Sequence, residues 1–152
     1  MSDGARVAVV YREGGELGAC VEPRNALPVY EQLRRQFLCY AAAGRLKAGT
    51  RVEGGEAVAR ALGANLNTVY RAYRRLEADG VLESSRGKMG FVVAPGARSR
   101  GRSAIERIVR ARVAEAAREA VLAGLSLTWL SGAAREAGTF PVYQRGPRGA
   151  EW

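Results

Sequence analysis

Residues 55–93 read GEAVARALGANLNTVYRAYRRLEADGVLESSRGKMGFVV, and this stretch decides the fold. The pattern predicts a short helix over 55–62, a turn at Gly63, a longer polar-faced helix, and two short strands around a basic glycine turn at 86–90. The longer helix has an apolar side at helical spacing, formed by Val69, Ala72, Tyr73 and Leu76. This order of elements is typical of a winged helix-turn-helix, which places one helix in the major groove of DNA.

The opposite side of the longer helix carries polar groups that suit DNA. Asn67 and Thr68 stand near its start, where asparagine pairs with adenine and threonine meets a phosphate or a thymine methyl. Arg71, one turn further on, is the best candidate for reading guanine. The predicted DNA-binding set also contains Asn65, Tyr70, Arg74, Arg75, Arg86, Gly87 and Lys88. The alternative for each arginine is a solvated surface charge.

The charge of the chain points to a polyanionic partner. Its 152 residues have a net charge of +9 and a sequence pI near 10.4. Residues 65–102 hold eight basic and three acidic side chains, whereas residues 103–138 hold five and four. Only Lys47 and Lys88 are lysines, and the alternative is that this arginine bias follows genomic base composition. The positive charge therefore belongs to the recognition helix, the basic turn and the segment that follows them.

Several classes of site are disfavoured by the composition. The chain has no histidine, which excludes Ser-His and Cys-His nucleophile pairs and histidine-ligated metals. Cys20 and Cys39 are too few for a cysteine-only zinc site, and we expect reduced core thiols in a cytoplasmic protein, with a redox switch as the alternative. No apolar run approaches the roughly 18 residues of a membrane helix. We therefore expect no cofactor and no metal, and an enzyme is the class that fits least.

The N-terminal part predicts a hairpin and a first helix. Residues 6–11 and 17–21 are typical of strands around a Gly14-Gly15 turn, and we assign residues 1–24 to an N-terminal extension. Pro28 opens a helix whose apolar stripe is Val29, Leu33, Phe37 and Ala41. The winged-helix domain is predicted to span residues 25–94. In its short second helix the residues expected to point inward are Val58, Ala61 and Leu62.

The C-terminal part predicts a separate pair of helices. Residues 95–102 are rich in Gly and Arg and are predicted to be a linker. Ser103 and Glu106 have capping-box spacing, and Ser126 is expected to cap the last helix. We assign residues 103–138 to a two-helix dimerisation region and residues 139–152 to a flexible tail. The predicted dimer stripe is Ile105, Ile108, Val109, Val113, Ala117, Ala120, Val121, Trp129 and Leu130. The alternative is that this stripe packs back on the winged-helix domain.

Several motifs resemble the GntR family of bacterial transcription regulators. They are PVYEQLRRQF at 28–37, GRLKAGTRV at 44–52, and ALGANLNTVYRAYRRLEADGVLESSRGKMGFVV at 61–93. The short C-terminal part, with AGLSLTWL at 123–130, is similar to the YtrA-like subfamily, whose members lack a large ligand-binding domain and dimerise through two helices. The resemblance implies a dimeric repressor that binds an inverted repeat in double-stranded DNA, often at a transporter operon.

The chain departs from the family pattern at the start of the second helix. The family usually has a DNA-contacting arginine there, and the aligned position is Glu56, which repels phosphate. Gly54 and Gly55 also predict a looser helix start. The other hypotheses are therefore a non-specific or architectural nucleic-acid-binding protein and a winged-helix module for protein partners. The N-terminal hairpin is expected either to add a strand to the sheet or to join the dimer interface.

Overall fold

The computed structural model describes residues 4–85 and 90–138. The winged helix-turn-helix followed by two helices is confirmed. Within the described ranges no helix is long and apolar enough to cross a membrane. The predicted basic-turn residues Arg86, Gly87 and Lys88 and the tail from residue 139 lie outside these ranges. The elements are β1 (Arg6–Tyr11), β2 (Leu17–Val21), α1 (Val29–Ala42), α2 (Gly55–Leu62), α3 (Leu66–Ala78), β3 (Leu82–Ser84), β4 (Phe91–Val93), α4 (Ala97–Leu122) and α5 (Leu127–Gly138).

The N-terminal hairpin is built into the body of the protein. Strands β1 and β2 pair antiparallel, and Tyr11 forms a further bridge to Val52. Arg51 in turn bridges to Val92 of β4, so the hairpin is linked to the wing strands β3 and β4. The hairpin contributes six buried apolar residues to the common core: Ala8, Val10, Tyr11, Leu17, Ala19 and Val21. The predicted extension therefore forms a two-stranded sheet of its own, which is linked to the wing sheet through single bridges at Arg51 and Val52 and shares the core of the helices.

Helix α2 packs with a face slightly different from the predicted one. Val58 and Leu62 are buried as expected, but Ala61 is exposed and Ala59 is buried in its place. The reason is geometric, because Gly55, Val58, Ala59 and Leu62 follow the i, i+3, i+4, i+7 spacing of one helix face.

The end of α2 is closed by an arginine from the hairpin. Arg6 Nη1 donates hydrogen bonds to the carbonyl oxygens of Leu62 and Gly63, at 3.2 and 3.3 Å. These carbonyls have no partner inside the helix, so a cation at this end satisfies both the hydrogen bonds and the helix dipole. The hairpin thereby helps to set the turn that leads into α3.

Helix α3 is anchored by its apolar side. Val69, Ala72, Tyr73 and Leu76 are each at most 1% exposed. The Tyr73 hydroxyl donates a hydrogen bond to the Glu53 carbonyl oxygen at 2.7 Å. The same ring makes edge-on contacts with Phe37 and Phe91, at centroid distances of 5.7 and 5.3 Å. The predicted apolar side is confirmed, and it fixes how α3 is rotated about its axis.

A pair of hydrogen bonds holds the end of α3 to α1. Arg34 Nε donates to Asp79 Oδ2 at 2.7 Å, and Arg34 Nη2 donates to Asp79 Oδ1 at 3.0 Å. The bond to Asp79 raises the pKa of Arg34, so the guanidinium stays charged. A forked guanidinium–carboxylate pair fixes both distance and angle. The two helices are thus tied together where α3 ends.

The predicted linker at 95–102 is wrong, because α4 begins at Ala97. Gly101 in this helix is buried, and a Cβ atom placed on it would lie 2.6 Å from the Cβ of Ala41 and 3.2 Å from the carbonyl oxygen of Leu38. Close packing of α4 on α1 therefore makes a segment of flexible composition helical. Ser103 lies inside the helix and does not cap it, and Gly96 occupies the N-cap position.

The predicted dimer stripe is divided between two environments. Ile105 and Ile108 pack against the core of the winged-helix body, as the alternative interpretation of the stripe expected, and Ala120 is also buried. Ala117 and Leu130 are half-buried. The remaining members, Val109, Val113, Val121 and Trp129, are 50 to 61% exposed. The stripe therefore anchors α4 at its start and leaves an uncovered apolar surface further along.

The start of α5 follows its prediction. The Ser126 hydroxyl oxygen accepts a hydrogen bond from the Trp129 backbone N–H at 3.0 Å, so the predicted cap is confirmed.

The two cysteines are free thiols at different depths. Cys20 is half-buried, and burial together with the nearby Glu22 raises the pKa of its thiol. Cys39 is exposed, so the prediction of a core position is wrong for this residue. It falls between Leu38 and Tyr40 on a helix whose buried face also contains Leu33, Phe37 and Ala41, and this spacing turns position 39 outward.

Candidate nucleic-acid interface

The side of α3 opposite to its buried face is lined by polar residues. Because the apolar side is held in the core, these residues are presented together on the surface. The exposed members of the predicted set are Asn65, Asn67, Arg71, Arg74 and Arg75, whereas Thr68 and Tyr70 are half-buried. The face therefore combines short polar side chains at the start of the helix with three guanidinium groups further along it, an arrangement suited to base edges and phosphates.

Asn65 and Asn67 are both of a residue type favoured at an N-cap, and in the structure Asn65 is the N-cap of α3. Its side-chain Oδ1 accepts a hydrogen bond from the Asn67 backbone N–H at 2.8 Å. Its carbonyl oxygen accepts a bond from the Thr68 backbone N–H at 2.9 Å. The cap uses one of the two lone pairs of the side-chain oxygen, and the amide N–H donors of Asn65 remain available to a partner.

Arg71 rests on an aromatic ring from another helix. Its guanidinium carbon Cζ lies 4.0 Å from the centroid of the Tyr30 ring, in cation–π geometry. Within residues 4–85 and 90–138, no carboxylate pairs with Arg71. Its hydrogen-bond donors are therefore directed at solvent or at a bound partner. Tyr30 is absent from the predicted set, because the contact joins residues 41 positions apart that no local pattern connects.

A shallow depression lies where α1 and α3 begin. It is lined by Pro28, Val29, Tyr30, Ala64, Asn65, Thr68 and Arg71. Four of these residues belong to the predicted DNA-binding set or contact it directly. The start of α1, which the sequence assigns only to the core, therefore also borders the polar face.

Tyr70 packs against the start of α2. A Cβ atom added to Gly55 would lie 3.1 Å from Tyr70 Cζ, so the ring lies where any larger side chain would stand. Gly55 is buried, and the close approach of the ring explains the glycine more directly than flexibility does. The phenol predicted to touch the DNA backbone is therefore held in place by α2.

Glu56 is exposed in the first turn of α2. Its carboxylate suits the positive end of the helix dipole and would repel a phosphate placed there. The departure from the family pattern thus lies on the surface and leaves the packing of α2 intact.

A basic residue not included in the predicted set lies at the base of the wing. Arg51 is exposed beside β4, and its Nη2 would be 3.1 Å from a Cβ atom added to Gly90. In the sequence, Arg51 directly precedes Val52 at the strand-like end of the motif GRLKAGTRV, and this position is the only local sign of its role. It extends the positive charge from α3 toward the wing strands.

An arginine-bearing helix side, fixed over a winged core, is the arrangement of the winged helix-turn-helix class of DNA-binding folds. No protein-family model matches the chain. The chain is 33% identical over 72 residues to the HTH-type transcriptional repressor YtrA of Bacillus subtilis, covering 47% of this chain and 55% of that protein. It is 38% identical over 73 residues to the HTH-type transcriptional regulator Rv1152 of Mycobacterium tuberculosis, covering 48% of this chain and 60% of that protein. The matches thus span little more than half of these relatives.

The solved structure of a GntR family transcriptional regulator from Listeria monocytogenes has the same fold. It superposes with a TM-score of 0.57 at 20% identity, over 74% of this chain and 96% of that chain. The resemblance to GntR-family regulators of the YtrA-like type is confirmed by these comparisons. The two curated relatives are a transcriptional repressor and a transcriptional regulator by name.

Proposed function

We propose that this protein is a sequence-specific DNA-binding transcription regulator of the cytoplasm, with α3 as the helix that enters the major groove. The observation that carries the proposal is the division of α3 into two sides. Its apolar side is at most 1% exposed, and its opposite side presents Arg71, Arg74 and Arg75 to solvent. A major groove about 12 Å wide admits one such helix.

The residues of α3 divide by the contacts that their positions favour. Asn67 and Arg71 lie toward the start of the helix and are assigned to base edges. Arg74 and Arg75 lie further along and are assigned to phosphates, which give affinity without reading sequence. Arg86 and Lys88 of the predicted wing turn, together with Arg51 at its base, are assigned to the backbone or to the neighbouring minor groove.

The regulator is proposed to act as a homodimer through its C-terminal helices. The uncovered apolar residues are Val109, Val113, Val121, Leu122, Leu125, Leu127 and Trp129. They lie on the later part of α4, in the turn that follows it and at the start of α5, and a monomer rarely leaves many large apolar side chains open to water. A second copy of the chain covers this surface and forms a two-fold dimer. Such a dimer places two copies of α3 about 34 Å apart and reads an inverted repeat.

We further propose that the dimer represses transcription. YtrA of Bacillus subtilis, which is 33% identical to the chain over 72 residues, is a transcriptional repressor by name. A dimer bound across an inverted repeat near a promoter blocks access by steric exclusion. Expression of the adjacent genes should therefore rise when the protein is removed.

A non-specific nucleic-acid binder is the second candidate, and the net charge of +9 favours it. Such a protein depends on phosphate contacts alone, so its affinity falls steeply with salt and varies little with sequence. A module for protein partners would show neither property. Salt dependence and sequence preference, measured together, separate the three candidates.

The experiment is a selection of binding sites by the full-length chain from a pool of random duplex DNA at physiological salt. The affinity for the selected site is then compared with that for a scrambled site of equal length. We expect a preference of about 10³ or more and a selected site with two-fold symmetry. Equal affinity for the selected and scrambled sites would overturn sequence reading.

A further inference from the structure

Tyr30 lies beside the polar face of α3 and packs partly against the core. It is the second residue of α1, which begins after Pro28. The other side of its ring is covered by the Arg71 guanidinium, with Cζ 4.0 Å from the ring centroid. The ring, which is packed on one side against the core, therefore offers its other side to the longer Arg71 side chain.

Arg71 differs in this respect from the two arginines that follow it. Within the described part of the chain, neither Arg74 nor Arg75 lies on an aromatic ring or pairs with a carboxylate. All three side chains are exposed. Arg71 alone among them has a defined direction, which a flat ring from another helix imposes.

The stack lies at the end of α3 that enters the groove. Tyr30 and Arg71 line the depression that also contains Asn65 and Thr68, both from the start of α3. Arg71 is therefore held toward the base-reading end of the helix and away from the positions assigned to phosphates. The N–H donors of the guanidinium remain available to a partner while the cation contacts the ring.

We propose that Tyr30 is a positioning residue that holds Arg71 for the forked contact with guanine, so that α1 takes part in base selection by α3. The inference rests on the function proposed above. Ordering a long side chain before binding lowers the entropic cost of forming its hydrogen bonds. Loss of a cation–π contact at an exposed site is expected to change the affinity for DNA by about 2- to 5-fold.

The first test is a double-mutant cycle on the selected duplex. Tyr30→Leu removes the aromatic face but keeps an apolar side chain, Tyr30→Phe keeps the face, and Arg71→Ala removes the cation. We expect Tyr30→Leu to weaken binding about 2- to 5-fold in the wild-type background and to have no further effect once Arg71→Ala is present. Tyr30→Phe should retain wild-type affinity. As a control, Tyr30→Leu and Arg75→Ala should be additive.

The preference at single base pairs separates positioning from general damage to the fold. Tyr30→Leu should lower the preference for guanine at the position that Arg71 reads, with unchanged preference elsewhere and an unchanged melting temperature. A loss spread evenly over all positions, or a lowered melting temperature that accounts for the weaker binding, would overturn the positioning role.

The second test uses the free protein and does not depend on DNA. In a ¹⁵N–¹H NMR spectrum the Arg71 Nε–H signal should be shifted by the ring current of Tyr30. Tyr30→Leu should abolish this shift, and Tyr30→Phe should preserve it. Two results would overturn the positioning role of Tyr30 and leave the proposed function standing. One is an Arg71 Nε–H signal without a ring-current shift, and the other is additive effects of Tyr30→Leu and Arg71→Ala in a protein that does prefer the selected duplex. A wild type without any sequence preference overturns the proposed function together with the positioning role.

Discussion

Gly101 of α4 approaches Ala41 of α1 so closely that a Cβ atom on the glycine would stand 2.6 Å from the alanine Cβ. Real Cβ atoms do not approach to this distance, so only glycine fits without movement of the backbone. The contact places the start of α4 directly on α1, which in turn packs against α3. Helix α4 is therefore attached to the winged-helix body by packing.

Gly101→Ala should destabilise the protein although alanine is the better helix former. The added methyl meets Ala41 and the Leu38 carbonyl, and overpacking of this kind costs about 1–3 kcal/mol. Gly132→Ala in α5 is the matched control, because a Cβ atom added there would have no heavy atom within 4 Å. The control should be neutral or stabilise by up to about 1 kcal/mol. Urea denaturation measures both, and equal effects would show that α4 does not rest on α1.

Arg34→Ala should lower the free energy of unfolding by about 1–3 kcal/mol, since it leaves the half-buried carboxylate of Asp79 without its two hydrogen bonds. The side chains of this pair are 17% and 14% exposed. Arg102→Ala breaks a pair whose members are 70% and 52% exposed, so it serves as the control, with an effect of at most about 0.5 kcal/mol. Thermal denaturation of the two variants checks the difference, and a larger loss for Arg102→Ala would contradict it.

Val113→Asp should dissociate the proposed dimer and leave the fold intact. Val113 is 56% exposed, so the aspartate is solvated in the monomer, but burying its charge between two copies is costly. Ala111→Asp, which introduces the same charge at an exposed position on the other side of α4, should stay dimeric. Sedimentation equilibrium measures the masses. If Val113→Asp remains dimeric with an unchanged circular dichroism spectrum, the apolar surface of α4 is not the interface.

Stability should fall at high pH, in part because of Tyr73. Burial raises the pKa of Tyr73 in the folded protein above the unfolded value of about 10. Folding thus favours the neutral phenol. Its contribution to the free energy of unfolding is complete below a pH of about 10 and is lost as the pH rises further. Tyr73→Phe should cost about 1 kcal/mol at pH 7 through the lost bond to Glu53 and should weaken the decline above pH 10.

Urea titrations at several pH values measure this dependence. The pKa of Tyr40 is also raised by burial, so a residual decline in Tyr73→Phe is expected. An identical decline in the variant and the wild type would show that Tyr73 does not contribute to it.

The sequence predicted the elements whose signals are local. Helix α3 followed from the spacing of Val69, Ala72, Tyr73 and Leu76, whereas the sequence left its cap open between Asn65 and Asn67. The linker prediction failed because composition cannot show that Gly101 fits against Ala41, a contact between residues 60 positions apart. Tyr30 was missed for the same reason, since its role depends on α1 and α3 meeting in three dimensions. Local sequence patterns therefore predict where helices and strands form, whereas contacts between distant segments of the chain appear only in the structure.

The most direct test of the account is the effect of Arg71→Ala on the selected site and on every single-base variant of that site. Binding should weaken by about 1–3 kcal/mol, and the preference should be lost at one guanine position in each half-site. Arg135→Ala removes the same charge from an exposed position on α5, and it should leave every base preference unchanged. If Arg71→Ala instead weakened binding to all sequences by one common factor, or not at all, α3 would not read the major groove as proposed.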